Sequence, residues 1–127
     1  MTSDTPQHWF DMPHAPAPGT LLGTRDALAD GQAALHSVGE FKLLLLRSGQ
    51  EVKAFVNRCA HFGVPLAARQ EHLLYTAHAS ITCNVHYAKY RWSDGLCIDG
   101  DCEGASLLPI PVDVDAQGNI HIAPKAP

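Results

Sequence analysis

Phe41-Lys42-Leu43-Leu44-Leu45-Leu46-Arg47, followed by Ser48-Gly49-Gln50 and then by Glu51-Val52-Lys53-Ala54-Phe55-Val56-Asn57, sets the fold class. Two apolar-rich segments of strand length flank a short turn with glycine in it, and the second alternates polar with apolar residues; this pattern predicts an antiparallel hairpin. Working outward, further short β segments are expected at 79–82, 88–92, 107–112 and 119–123. Ser93-Asp94-Gly95, the stretch 100–104 and Gln117-Gly118 supply the breaks between them. Six short strands and no helix-period stretch of ten residues point to an all-β sandwich or small barrel. Upstream, 26–30 before Gly31 has room for one helical turn. Residues 1–20 hold Pro6, Pro13, Pro16 and Pro18 and read as an extended lead-in pinned by Trp9 and Phe10.

At 127 residues the chain is about one domain long, and 46% hydrophobic with 17% charged residues is a globular composition. Nine Lys and Arg against thirteen Asp and Glu give a net charge of −4, with no basic block to follow a nucleic-acid backbone. A net negative chain favours partners with basic docking faces. The longest strictly apolar run, Leu43 to Leu46, is far below the roughly 20 residues that span a bilayer. The N-terminus lacks the basic and apolar regions of an export signal, and no two arginines are adjacent. No membrane association and a reducing, cytoplasmic location are the expectation, with the four cysteines as metal ligands or buried thiols rather than a disulfide framework.

Two short pairs carry the chemistry. Cys59-Ala60-His61 comes directly after the second hairpin strand, and Cys83-Asn84-Val85-His86 follows the segment at 79–82. Each offers one thiolate and one imidazole from a loop, and the 21 residues between them allow an excursion that returns the second loop to the first. Four soft or borderline ligands then face one site. A structural zinc uses the same number, although its usual spacing groups cysteines with cysteines and histidines with histidines. Mixed pairs suit a cluster of two irons and two sulfides, one iron on two thiolates and the other on two imidazoles.

From about residue 41 to 123 the chain resembles the Rieske [2Fe-2S] family. Asn57-Arg58-Cys59-Ala60-His61-Phe62-Gly63-Val64-Pro65-Leu66 is similar to its first cluster loop and Cys83-Asn84-Val85-His86 to its second. Tyr87 to Gly95 is similar to its aromatic strand and Asp-Gly turn, and Pro109-Ile110-Pro111-Val112 to its closing strand. The resemblance implies a three-layer antiparallel β sandwich with a small cluster-binding subdomain, about 57–104, inserted in a larger base, the whole of 1–127 being one Rieske domain. It implies one [2Fe-2S] cluster held by Cys59, His61, Cys83 and His86. Ala60 stands where the family often has Pro, and Tyr87 where it often has Gly. Val64 and Val85 stand where the respiratory subtype has a pair of bridging cysteines. Ala88 replaces a serine that in the high-potential subtype bonds a bridging sulfide, while Tyr90 keeps a hydroxyl that could bond a ligand thiolate.

Two ferric ions, two sulfides and two thiolates sum to zero charge with neutral imidazoles, against −2 for a four-cysteine site. Reducing the neutral site costs less electrostatic work, which places Rieske potentials at roughly −150 to +300 mV. Without the Ser-type donor and the loop disulfide this chain is expected toward the low end. The function implied is one-electron carriage as a soluble ferredoxin, from a flavin-type reductase to an oxygenase or similar acceptor, with no catalytic residue of its own. The length leaves no room for the separate catalytic domain of a Rieske oxygenase. A small Rieske subunit of a multi-subunit reductase, of the nitrite-reductase kind, is the alternative; a zinc-stabilised binding module is a third reading. His8, His14, His36, His72, His78 and His121 fit no paired spacing and read as surface or core residues. Cys97 and Cys102 read as packing thiols, with a disulfide across their turn as the other reading. Tyr87, Tyr90 and Trp92 read as cluster-shielding or sheet-packing side chains.

Overall fold

The computed structural model describes residues 8–58, 65–83, 87–100 and 105–123. Among these residues are eleven strands: β1 (Leu21–Thr24), β2 (Ala33–Val38), β3 (Phe41–Ser48), β4 (Glu51–Val56), β5 (Leu74–Thr76), β6 (Ser80–Thr82), β7 (Lys89–Arg91), β8 (Cys97–Asp99), β9 (Pro109–Ile110), β10 (Val112–Val114) and β11 (Asn119–Ile122). They form three sheets ordered β1-β11-β10, β2-β3-β4-β9 and β5-β6-β7-β8, and every pairing is antiparallel.

Successive side chains of a strand point to opposite faces, so a run of leucines is stable only where both faces are covered. On β3, Leu44 and Leu46 enter a core with Phe55, Ile81, Tyr90 and Trp92. Phe41, Leu43 and Leu45 enter a second core with Leu22, Val56, Ile120 and Ile122. The β2-β3-β4-β9 sheet is thus the middle of three layers. Each leucine fully buried there contributes about 1.5–3 kcal/mol, which makes this hairpin the spine of the fold.

Six strands were expected, and eleven are present among the described residues. The segment expected at 107–112 divides at Pro111, which has no N–H for a ladder. Ile110 pairs with Ala54 of the middle sheet, and Val112 pairs with Ile122 of the base sheet. The chain changes layers at that proline. The helical turn expected at 26–30 lies slightly earlier, as a 3-10 turn over Arg25–Ala27. The lead-in is likewise not fully extended, since Trp9–Asp11 forms a 3-10 turn. Trp9 is buried in the base core and pins the segment, but Phe10 is 37% exposed and stacks on His8 instead.

All four strands of the third sheet arise between β4 and β9. Side chains tie this insertion to the middle sheet. The indole N–H of Trp92 donates to Ser48 Oγ at 2.9 Å. Gln70, in the 3-10 turn Gln70–His72, accepts from the Leu35 N–H at 2.7 Å and donates to the Ala33 carbonyl at 3.0 Å. Gly95 explains the Asp-Gly turn: its φ is 78°, and a Cβ there would lie 2.8 Å from the Phe55 ring.

Candidate metal centre

The second cysteine-histidine pair begins where β6 ends. Cys83 is a free thiol with no exposed surface. Its N–H donates to the Ala88 carbonyl at 2.8 Å, and its carbonyl accepts from the Tyr87 N–H at 2.9 Å. These two backbone bonds join the two ends of the second loop. Tyr87 has φ of 60°, the left-handed region that glycine enters without cost, so the position is glycine-like in geometry although a tyrosine fills it.

Ala88 is buried, and Gly100 presses on it from the end of β8. With φ of 103°, Gly100 has no side chain, and a Cβ there would stand 3.0 Å from Ala88 Cα. Tyr90, on β7 opposite Ile81 and Cys97, is fully buried in the same core as Cys83. Trp92 is also buried there, so these two aromatics pack the sheet, whereas Tyr87 is 66% exposed.

The first pair begins after β4, and its loop is closed differently. Asn57 is only 9% exposed. Its Oδ1 accepts from the Leu66 N–H at 2.8 Å and its Nδ2 donates to the Ala67 carbonyl at 2.9 Å, joining the two ends of the loop 58–65. The sequence offered no sign of this clamp beyond an asparagine at a strand end. Leu66 and Ala67 from this loop and Cys83 and Ala88 from the other all belong to one core cluster. The feet of both loops therefore stand together. Cys59, His61 and His86 lie outside the described residues, so of the four expected ligands only Cys83 is placed.

Cys97 requires a correction. It is disulfide-bonded rather than a packing thiol. It pairs with Tyr90 across β7 and β8 and is buried in the core beneath the site. Cys102 lies outside the described residues. Several of the remaining histidines serve the surface: His78 shares a hydrogen bond with Ser48 Oγ at 2.7 Å, His14 lies 3.6 Å from Glu40, and His121 lies 3.4 Å from Asp115.

The described part of the site fits an iron-sulfur group. A buried thiol left out of any disulfide is a soft ligand in a dry environment, and small residues, Ala88 and Gly100, back the turn that follows it. The chain matches the model of the Rieske [2Fe-2S] domain over residues 20–114. It is 43% identical over 58 residues to the terminal oxygenase component of carbazole 1,9a-dioxygenase from Sphingomonas sp, covering 46% of this chain and 15% of that protein. The chain thus spans about 15% of the length of that curated relative. The solved ferredoxin of carbazole 1,9a-dioxygenase from Nocardioides aromaticivorans IC177 superposes with a TM-score of 0.68 at 23% identity, over 86% of this chain and 100% of that one. The terminal oxygenase from the same organism gives 0.68 at 27% identity, over 85% of this chain and 30% of that one. With the family model covering most of the sequence and the three-layer fold in agreement, the chain belongs to the Rieske [2Fe-2S] domain family and its cofactor is a single [2Fe-2S] cluster.

Proposed function

We propose that this chain is a one-electron carrier that passes electrons from a reductase to an oxygenase or a similar terminal enzyme, with Cys59 and Cys83 on one iron and His61 and His86 on the other. One observation supports the site above all: the feet of the two ligand loops pack in one core, with the free thiol of Cys83 buried among them. The ferredoxin and oxygenase of carbazole 1,9a-dioxygenase have been solved as a complex, which is the pairing this reading transfers to the present chain. The bound cluster supplies a centre that takes up and releases one electron. The protein does the rest. Cys83 sits where water is excluded, Tyr87 brings the end of the second loop to the surface, and the subdomain proposed at 57–104 is braced by Gln70 and Trp92 against the middle sheet. No bond in a substrate is made or broken by this chain in the proposal. No helix among the described residues is long and apolar enough to cross a membrane, and the cytoplasm is the proposed location.

A second reading has its own support, because the curated relative is an oxygenase component. In that reading the domain delivers electrons to a catalytic centre within a larger oxygenase. Mixing the purified chain with a flavin-type reductase and a separate Rieske oxygenase tests the choice: turnover that depends on added chain is expected of a free carrier, and absence of any stimulation with a range of such pairs favours the second reading. The ligand set is tested by Cys59→Ser, His61→Ala, Cys83→Ser and His86→Ala, each expected to lose the visible spectrum and acid-labile sulfide, because each removes one of four protein ligands. Cys97→Ser and Cys102→Ser should keep both. Equal loss in these last two would show the ligand set to be wrong.

A further inference from the structure

We propose that Asn57 is a positioning residue for the cluster: its buried amide holds shut the loop that carries Cys59 and His61 and thereby governs how firmly iron is retained and how the two ligands are aimed. The inference rests on the ligand set proposed above and adds a residue that makes no bond to iron.

Asn57 is anchored before the loop begins. Its backbone N–H donates to the Lys42 carbonyl at 3.1 Å, and the preceding Val56 N–H donates to the Leu108 carbonyl at 2.9 Å, so its Cα is held by the middle sheet. From there the side chain reaches across to Leu66 and Ala67, both packed in the core beneath the site. One amide thus satisfies a backbone donor and a backbone acceptor that burial would otherwise leave unpaired. The proposed ligands at 59 and 61 lie two and four residues beyond Asn57 in the sequence. The two loops differ here. The second is closed by its own backbone between Cys83 and Ala88. Among the described residues the first has no backbone bond across its ends, and Asn57 takes that place.

The residue type is demanded by the geometry. Aspartate keeps the acceptor for Leu66 but sets a carboxylate against the Ala67 carbonyl, and glutamine is one methylene too long for a neck this short. Hydrogen-bond partners of metal ligands orient them, and losing one typically costs about 10- to 100-fold in metal affinity; Asn57 acts one step further back, through the backbone that carries two of the proposed ligands.

The test compares Asn57→Ala and Asn57→Asp with Leu22→Ala, a variant of the base core remote in the fold from either loop. Bleaching of the visible spectrum in chelator and the electron paramagnetic resonance of the reduced protein are followed alongside the melting temperature. Asn57→Ala should bleach at least about tenfold faster than wild type, with altered resonance positions, and Asn57→Asp should fall between them. Leu22→Ala, which creates a cavity and lowers the melting temperature, should bleach within about twofold of wild type and keep the wild-type resonance. Equal bleaching for Asn57→Ala and Leu22→Ala, or an unshifted resonance in both Asn57 variants, overturns the proposal. If Asn57→Ala does not fold, Asn57→Asp carries the same comparison. Retention of the cluster in Cys59→Ser and His61→Ala would instead overturn the ligand assignment, and the role of Asn57 with it.

Discussion

Tyr87 pays a conformational cost that its sequence position makes measurable. Its φ of 60° brings Cβ close to the backbone, at about 1–2 kcal/mol for a non-glycine residue. Glycine avoids that cost but adds about 0.5–1 kcal/mol of freedom to the unfolded chain. The difference predicts that Tyr87→Gly stabilises the protein by about 0.5–1 kcal/mol in urea unfolding, with the visible spectrum unchanged. A loss of stability would mean that the exposed ring makes contacts worth more than the backbone strain. Asp94 offers a second test, through pH. The Arg91 guanidinium donates to its Oδ1 at 2.8 Å and the Leu96 N–H at 3.1 Å, and the carboxyl pKa is lowered to about 2 by these bonds, Arg91 first. A carboxylate whose folded pKa lies below the unfolded value of about 3.9 stabilises above that value, and the stabilisation is lost as pH falls toward the folded pKa. The gap in melting temperature between wild type and Asp94→Asn should therefore be constant above about pH 5 and narrow by about half at pH 3. A gap that widens with acidity would reverse the sign of this linkage.

β2 is an edge strand of the middle sheet, and its outward N–H and C=O groups need partners or water. The Gln70 side chain supplies both halves of one such pair and occupies the place of a neighbouring strand. Gln70→Ala should cost about 1–2 kcal/mol, and the Leu35 amide should exchange with solvent faster than the Leu44 amide in the same sheet. Unchanged exchange at Leu35 would show that the bond contributes little. The elements also differ in how readable they were. The β3–β4 hairpin was legible because its apolar density and turn chemistry agree. β1 is interrupted by Gly23, β2 relies on small residues such as Ala33 and Ala34, and β5 exposes all three of its residues, so none of them shows an alternating pattern. β8 is three residues long with a shifted register. Such strands exist because neighbours pair with them, which is information held by the partner. At the site, cysteine and histidine spacing suggested the ligand set that is proposed here and left a disulfide at Cys97 as one of two readings, whereas the Asn57 clamp depends on contacts that a linear pattern does not express.

The two cores share one wall, and among the described residues only one of them contains a proposed ligand. The core beneath the site includes Cys83, Ala88, Tyr90 and Cys97, and the base core of Trp9, Leu22, Ile110, Ile120 and Ile122 lies on the opposite face of β3. The third sheet is small, with strands of three residues, and strands so short bury little surface by themselves. Metal binding adds its free energy to the folded state of whatever its ligands hold together. Removing the cluster should therefore loosen the inserted sheet first, while the hairpin and the base sheet keep their own core. Amide exchange compared between the cluster-bound and cluster-free protein checks this. Protection should fall by at least about tenfold at Ile81 and Tyr90, within about threefold at Ile120 and Ile122, and at Leu43 and Leu45 it should follow the base rather than the site. Uniform loss at all six amides would mean that the middle sheet couples both cores into one cooperative unit and that the cluster stabilises the entire chain. Unchanged protection at Ile81 would mean that the insertion folds on packing alone, with Trp92 and Gln70 bracing it sufficiently in the absence of iron.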